Sequence, residues 1–202
     1  MAILLLNSIF YHIPRTGGMW VTEVLKKIFP LAVDFRGDGQ PTPTGIDPRH
    51  ISPRQVVSLS GKKSFTFVRE PLSWHKSYWA MDKTRHAEET KKGLENYFEE
   101  KFKKFPEGGL TYFLKQFLGE DLKLIDFVGR QEFLRDDLLS ILKETEGEFD
   151  EGPIFTTPPR NKPFSQYKME AVFPGYIKEE IVEREKWVYD HFPYMREVLN
   201  EN

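Results

Sequence analysis

The chain has 202 residues, no cysteine, and a formal charge of −2 from 29 Lys and Arg against 31 Asp and Glu. That balance excludes the global basic field of a nucleic-acid reader, so an anionic ligand must be met by locally placed Arg and Lys. Without cysteine there are no disulfides, thiolate metal sites or cysteine nucleophiles, which fits a reducing compartment, and 39% hydrophobic residues describe one globular domain over 1–202.

Residues 2–11 form a nearly continuous apolar run that stops at Pro14, the pattern of a strand buried on both faces of a parallel sheet. The run lacks a basic n-region and a small-residue cleavage site, so it reads as a first strand rather than a leader. No segment approaches the roughly 18–20 apolar residues that span a bilayer. The expectation is a cytoplasmic protein with no membrane partner.

After Gly17-Gly18 the period changes. Val21, Val24, Leu25 and Ile28 share one helical face, Glu23, Lys26 and Lys27 lie opposite, and Pro30 stops the helix. Residues 31–35 read as a second short strand, and 36–49, rich in Gly, Pro, Asp and Thr, as a long loop. Ser52-Pro53-Arg54-Gln55 has the form of a capping box with Pro at the first helical position, opening a short helix to about Leu59. Residues 63–68 are β-branched and aromatic, a third strand ending on Arg69-Glu70-Pro71, with a helix from near Ser73.

From 88 to 105, Leu94, Phe98, Phe102 and Phe105 form a stripe, and Glu88/Lys92, Glu99/Lys103 and Glu100/Lys104 are favourable i,i+4 pairs on a solvated face. Gly108-Gly109 breaks this helix, and 110–118 begins another. Residues 124–128 read as a fourth strand before Gly129-Arg130, followed by a helix marked by Leu134, Leu138, Ile141 and Leu142. Residues 147–163, with four Pro and two Gly, read as a loop or lid. A last helix is expected over 177–192. Strands alternating with helices predict an α/β domain of three layers: a central, mainly parallel sheet of about four or five strands, helices on both faces, and the strands ending near Tyr11 and Val68 as neighbours.

Two segments carry the chemistry. His12-Ile13-Pro14-Arg15-Thr16-Gly17-Gly18-Met19-Trp20 lies between a predicted strand and a predicted helix, where backbone N–H groups and a helix dipole hold phosphate. It is not a G-x-x-x-x-G-K-[ST] loop, because the leading Gly, the Lys and the magnesium-binding hydroxyl are missing. In the second segment Arg69 ends a strand and Ser77 follows on a helix eight residues later, so a guanidinium and a hydroxyl can pinch another phosphate. No spacing among His12, His50, His75, His86 and His191 makes a metal site.

Together these segments resemble the sulfotransferase superfamily that uses 3′-phosphoadenosine 5′-phosphosulfate (PAPS). The likeness lies in strand-[KR]-T-G-G-x-W-helix at Arg15 to Trp20, in R-x-P-x5-S-Y at Arg69 to Tyr78, and in V-G-[RK]-x-E-x-L at Val128 to Leu134. It implies a P-loop-like fold and a metal-free transfer of sulfuryl from PAPS to a small-molecule or glycan acceptor. By the same resemblance Arg15, which stands for the usual Lys, contacts the 5′-phosphate and the bridging oxygen. Thr16, Gly17, Gly18 and Met19 cradle that phosphate through backbone N–H groups, and Trp20 stacks on adenine. Arg69 and Ser77 hold the 3′-phosphate, and Arg160 and Lys162 lie where family members have a basic segment closing over the cofactor. Met19 departs from the family by replacing a hydroxyl residue.

An acceptor hydroxyl must lose a proton as it attacks sulfur, and His50 is the candidate general base, with Asp34, Glu23 and Asp47 as fallbacks. Two other readings stand beside this one: a PAPS- or nucleotide-binding module without transfer activity, and a divergent magnesium-dependent P-loop kinase. The acceptor pocket is expected in the loops at 36–49 and 86–109, whose sequence does not name the acceptor.

Overall fold

The computed structural model describes residues 2–35, 50–55, 61–85, 90–91, 93–159 and 172–200. The chain divides into two compact units, 1–68 with 113–160 and 69–112 with 161–202.

The first unit is built on a five-stranded sheet of order β3-β1-β2-β4-β5. Its strands are β1 (Ala2–Leu4), β2 (Ser8–Tyr11), β3 (Val33–Phe35), β4 (Lys63–Val68) and β5 (Phe127–Arg130). The opening apolar run is thus not one strand. It folds back as a hairpin in which Leu5 N–H bonds Ser8 C=O at 2.9 Å and Ala2 faces Tyr11 across the antiparallel pair. Asn7 supplies the turn, and Leu6 at its tip is 80% exposed. β1 pairs antiparallel with β2 and β3, whereas β2 pairs parallel with β4, and β4 with β5. The sheet is therefore mixed, its parallel part confined to the three strands that lead into the motifs. Because β2 and β4 are parallel neighbours, the chain leaves both at the same end of the sheet.

Side chains alternate across these strands. Ile3, Phe10, Phe65 and Phe67 project to one face and pack against Trp20, Val21, Val24 and Leu25 of α1 (Gly18–Ile28). Leu138, Ile141 and Leu142 of the helix Leu134–Glu146 complete this core together with Ile154. β5 begins three residues later than the composition of 124–128 predicts. Asp126 sets the start: its Oδ2 accepts from Ser64 N–H at 2.8 Å and Ser64 Oγ–H at 2.7 Å. Gly129 then sits within the strand because a Cβ there would come 2.4 Å from the Phe67 ring. Residues 147–159 are not wholly loop, since Gly152–Thr156 forms a short helix with Pro in its first turn and Ile154 fully buried. The segment after His50 forms a 3-10 turn at Pro53–Gln55, where the Gln55 side chain accepts from Ser52 N–H at 2.8 Å, one half of the expected capping box.

The second unit is helical. In chain order its helices are α2 (Pro71–Arg85), α3 (Gly93–Lys104), the first residues of α4 (Gly109–Leu118), and, after α5 (Leu134–Glu146) and α6 (Gly152–Thr156) of the first unit, α7 (Gly175–Arg184), α8 (Lys186–His191) and α9 (Tyr194–Asn200). Its core is Leu72 and Trp79 of α2, Tyr97 and Phe98 of α3, and Phe173, Ile177 and Ile181. The single helix expected over 177–192 is broken at Glu185, whose backbone leaves the helical region at φ −86° and ψ 17°. No helix among the described residues is long and apolar enough to cross a membrane.

Candidate functional site

β2 delivers the chain into a loop of unusual backbone geometry. Arg15 has φ 67° and Gly17 has φ 88°, both in the left-handed region, with Thr16 between them. Alternation of this kind turns successive N–H groups toward one concavity, which is how polypeptide backbones bind anions. Gly17 is the N-cap of α1 and holds the first turn, its carbonyl accepting from Trp20 N–H at 2.9 Å and Val21 N–H at 3.2 Å. No side chain caps the helix, and its first turn has no acidic residue. By helix geometry the N–H groups of Gly18 and Met19 have no acceptor inside α1. The positive end of the helix dipole and the concavity therefore coincide.

The side chains of the loop are divided between packing and exposure. Thr16 is buried with its hydroxyl donating to Ile13 C=O at 2.9 Å, so it tightens the turn and leaves its backbone to face a ligand. Met19 is exposed, and Arg15 is half-buried. Trp20 is placed differently from the stacking role that the motif implies. Its indole belongs to the core, 5% exposed, and its N–H donates to Thr157 C=O at 3.1 Å. Stacking a purine on that ring requires this packing to open, and the position as built anchors α1.

Behind the loop stand two histidines. His12 is buried, and its ring lies against Gly18 so closely that a Cβ on Gly18 would fall 1.9 Å from His12 Cδ2. Burial, helped by neighbouring positive charge that includes Arg15, holds the His12 pKa well below the ordinary histidine range, so the ring is neutral. Gly18→Ala is accordingly expected to lose about 1–3 kcal/mol in chemical denaturation, because the buried ring cannot retreat, and to weaken anion binding at the same loop.

His50 packs edge-on against His12 with ring centroids 4.9 Å apart, and its Nδ1 lies 3.0 Å from the His12 carbonyl oxygen. A carbonyl only accepts, so Nδ1 carries the hydrogen. In the neutral ring the lone pair is then on Nε2, the tautomer a general base needs. The fallback carboxylates are committed elsewhere: Asp34 pairs with Lys26 at 2.7 Å and Glu23 with Lys27 at 3.0 Å, while Asp47 lies outside the described residues.

The second motif lies in the other unit. Arg69 directs Nη2 and Nε onto Ser73 Oγ at 2.7 and 3.1 Å. Ser73 and the buried Ser77 are four residues apart on α2 and share a face of the helix. The sequence reading missed Ser73, although its spacing of four from both Arg69 and Ser77 was the available signal. It also missed Glu70, a buried carboxylate that caps α2 by accepting from Leu72 N–H at 2.8 Å and Ser73 N–H at 2.7 Å. With the helix end so occupied by Glu70, the start of α2 offers side chains rather than its dipole to any anion.

In the third motif Arg130 is paired bidentately with Asp137 at 2.8 and 2.7 Å and lies over the Phe133 ring at 4.4 Å. Arg160 and Lys162 lie outside the described residues, as does the loop 36–49 expected to line an acceptor pocket, whereas most of 86–109 is described and carries the helix α3 rather than a loop. Among the described residues no group of three or more His, Asp or Glu is arranged to hold a metal ion. Compared with protein-family models, curated proteins and solved structures, the chain matches none of them, so the chemistry of this site rests on its own residues.

Proposed function

We propose that this chain is a PAPS-dependent sulfotransferase that moves a sulfuryl group to a hydroxyl or amine acceptor by in-line displacement. The observation that carries the reading is the loop at 15–18: two left-handed residues and an uncapped helix N-terminus present backbone donors to an anion, and His50 stands beside them with its hydrogen on Nδ1. In this reading the 5′-phosphosulfate lies on the backbone of residues 15–19 and the 3′-phosphate on Arg69, Ser73 and Ser77. Arg160 and Lys162 are assigned to the segment that closes over the cofactor.

The acceptor oxygen attacks sulfur, His50 Nε2 takes its proton, and the bond from sulfur to the bridging oxygen breaks. Adenosine 3′,5′-bisphosphate leaves carrying the electron pair, and Arg15 with the loop N–H groups stabilises the charge that gathers on its 5′-phosphate. The chemistry follows the logic of phosphoryl transfer with sulfur as the centre, and no metal step is invoked.

Transfer of labelled sulfate from PAPS to a panel of sugars, phenols and amines tests the activity. Binding without transfer to any of them would favour the module reading. Cofactor choice is tested separately by melting temperature. At about 100 times its Kd, adenosine 3′,5′-bisphosphate is expected to raise the melting temperature by roughly 5–10 °C, and adenosine 5′-monophosphate at the same concentration far less. Equal shifts would point to a generic adenylate site and against the proposal.

A further inference from the structure

The second unit contains a buried polar network that no step above uses. Glu185, fully buried at the break between α7 and α8, receives four donors. Its Oε1 accepts from Leu110 N–H at 2.9 Å and His75 Nε2 at 2.8 Å, and its Oε2 from Thr111 N–H and Thr111 Oγ–H, both at 2.7 Å. Gly108, at φ 95°, makes room for the carboxyl, since a Cβ there would come 2.5 Å from it. One helical turn further, Tyr189 donates its hydroxyl to Glu70 Oε1 at 2.9 Å. Burial, reinforced by the Glu70 carboxylate, pushes the Tyr189 hydroxyl far above its ordinary range, so it remains a donor at any physiological pH.

These two residues therefore hold α2 at two points, Glu70 at its cap and His75 in its second turn. Glu70 fixes Ser73 N–H, and Ser73 Oγ receives the Arg69 fork. Two residues along a helix turn through about 200°, so the grip on His75 comes from the side of α2 opposite Ser73 and Ser77. It sets the rotation of the helix and with it the direction of the serine face.

We infer that Glu185 and Tyr189 are positioning residues for the Arg69–Ser73–Ser77 anion site, acting through His75 and Glu70 to give it its preference for a 3′-phosphate. This rests on the reading of that site given above. The test is calorimetric, with adenosine 3′,5′-bisphosphate and adenosine 5′-monophosphate as probes and the ratio of their affinities as the readout. Tyr189→Phe and Glu185→Gln are each expected to lower that ratio about tenfold while affinity for the monophosphate changes less than about twofold.

Tyr97→Phe is the matched control. It removes a hydroxyl of the same unit that also bonds an α2 carboxylate, Asp82 at 2.7 Å, but beyond Ser77. It is expected to lower the melting temperature and leave the ratio unchanged. A Tyr189→Phe protein that keeps the wild-type ratio overturns the inference, as does a Tyr97→Phe protein that loses it equally. A wild-type ratio near one, by contrast, removes the 3′-phosphate reading itself.

Discussion

Replacing Arg69 by alanine is expected to cost about 10²-fold in affinity for adenosine 3′,5′-bisphosphate and to leave adenosine 5′-monophosphate binding nearly unchanged. The guanidinium is half-buried and already oriented, two of its nitrogens resting on Ser73 Oγ. A doubly charged phosphate arriving beside Ser73 would meet a guanidinium already held in place, which can exchange its bonds to Ser73 Oγ for two charge-assisted hydrogen bonds. Lysine keeps the charge but not the planar pair of donors, so Arg69→Lys is expected to recover only a minor part of the loss. Isothermal titration of both nucleotides against the three proteins decides the matter. An Arg69→Ala protein within threefold of wild type for the bisphosphate would remove the 3′-phosphate from this motif.

The second large effect is expected at His50. With Nδ1–H held by the His12 carbonyl at 3.0 Å, the imidazole is fixed in both orientation and tautomer by the loop that would carry the sulfuryl donor. His50→Ala is expected to lower turnover by about 10²-fold or more on whichever acceptor proves active, with cofactor affinity nearly unchanged. Asp34→Asn and Glu23→Gln serve as comparisons. Their carboxylates are bound to lysines on the α1 surface, so turnover is expected to survive both changes. Undiminished turnover in His50→Ala would end the assignment.

What could be read from the chain beforehand follows from how local the determining interactions are. α1 was legible because its apolar face, its glycine start and the Pro30 stop all lie within its own sequence. β4 was legible because four consecutive β-branched and aromatic residues, Phe65 to Val68, leave little choice. The hairpin of β1 and β2 was hidden inside an apolar run whose one turn signal, Asn7, is weak beside the hydrophobic residues around it. The break at Glu185 had no glycine or proline to announce it. It exists because a carboxylate is drawn to the N–H groups of Leu110 and Thr111, some 75 residues away in sequence.

The same division runs through the site. Gly17 declared its left-handed backbone by being glycine, whereas Arg15 adopts that conformation against the preference of its own side chain. Trp20 illustrates the opposite failure. The motif around it implies a ring that meets adenine, but the helical period that places Val21 and Val24 inward also carries the indole into the core. Ser73 had its spacing from Arg69 and Ser77 as a signal, whereas Glu70 became visible only once the start of α2 was known to the residue.

Arg15 also bears on any attempt at laboratory evolution of this chain. A side chain in the left-handed region is strained by about 1 kcal/mol, and glycine at position 15 would relieve it. Selection by heat resistance alone therefore has a direct route to improvement that deletes the cation of the loop. Libraries sorted for robustness would enrich chains that survive well and have lost the loop's positive charge, so a selection meant to keep the proposed activity must reward sulfuryl transfer in the same round.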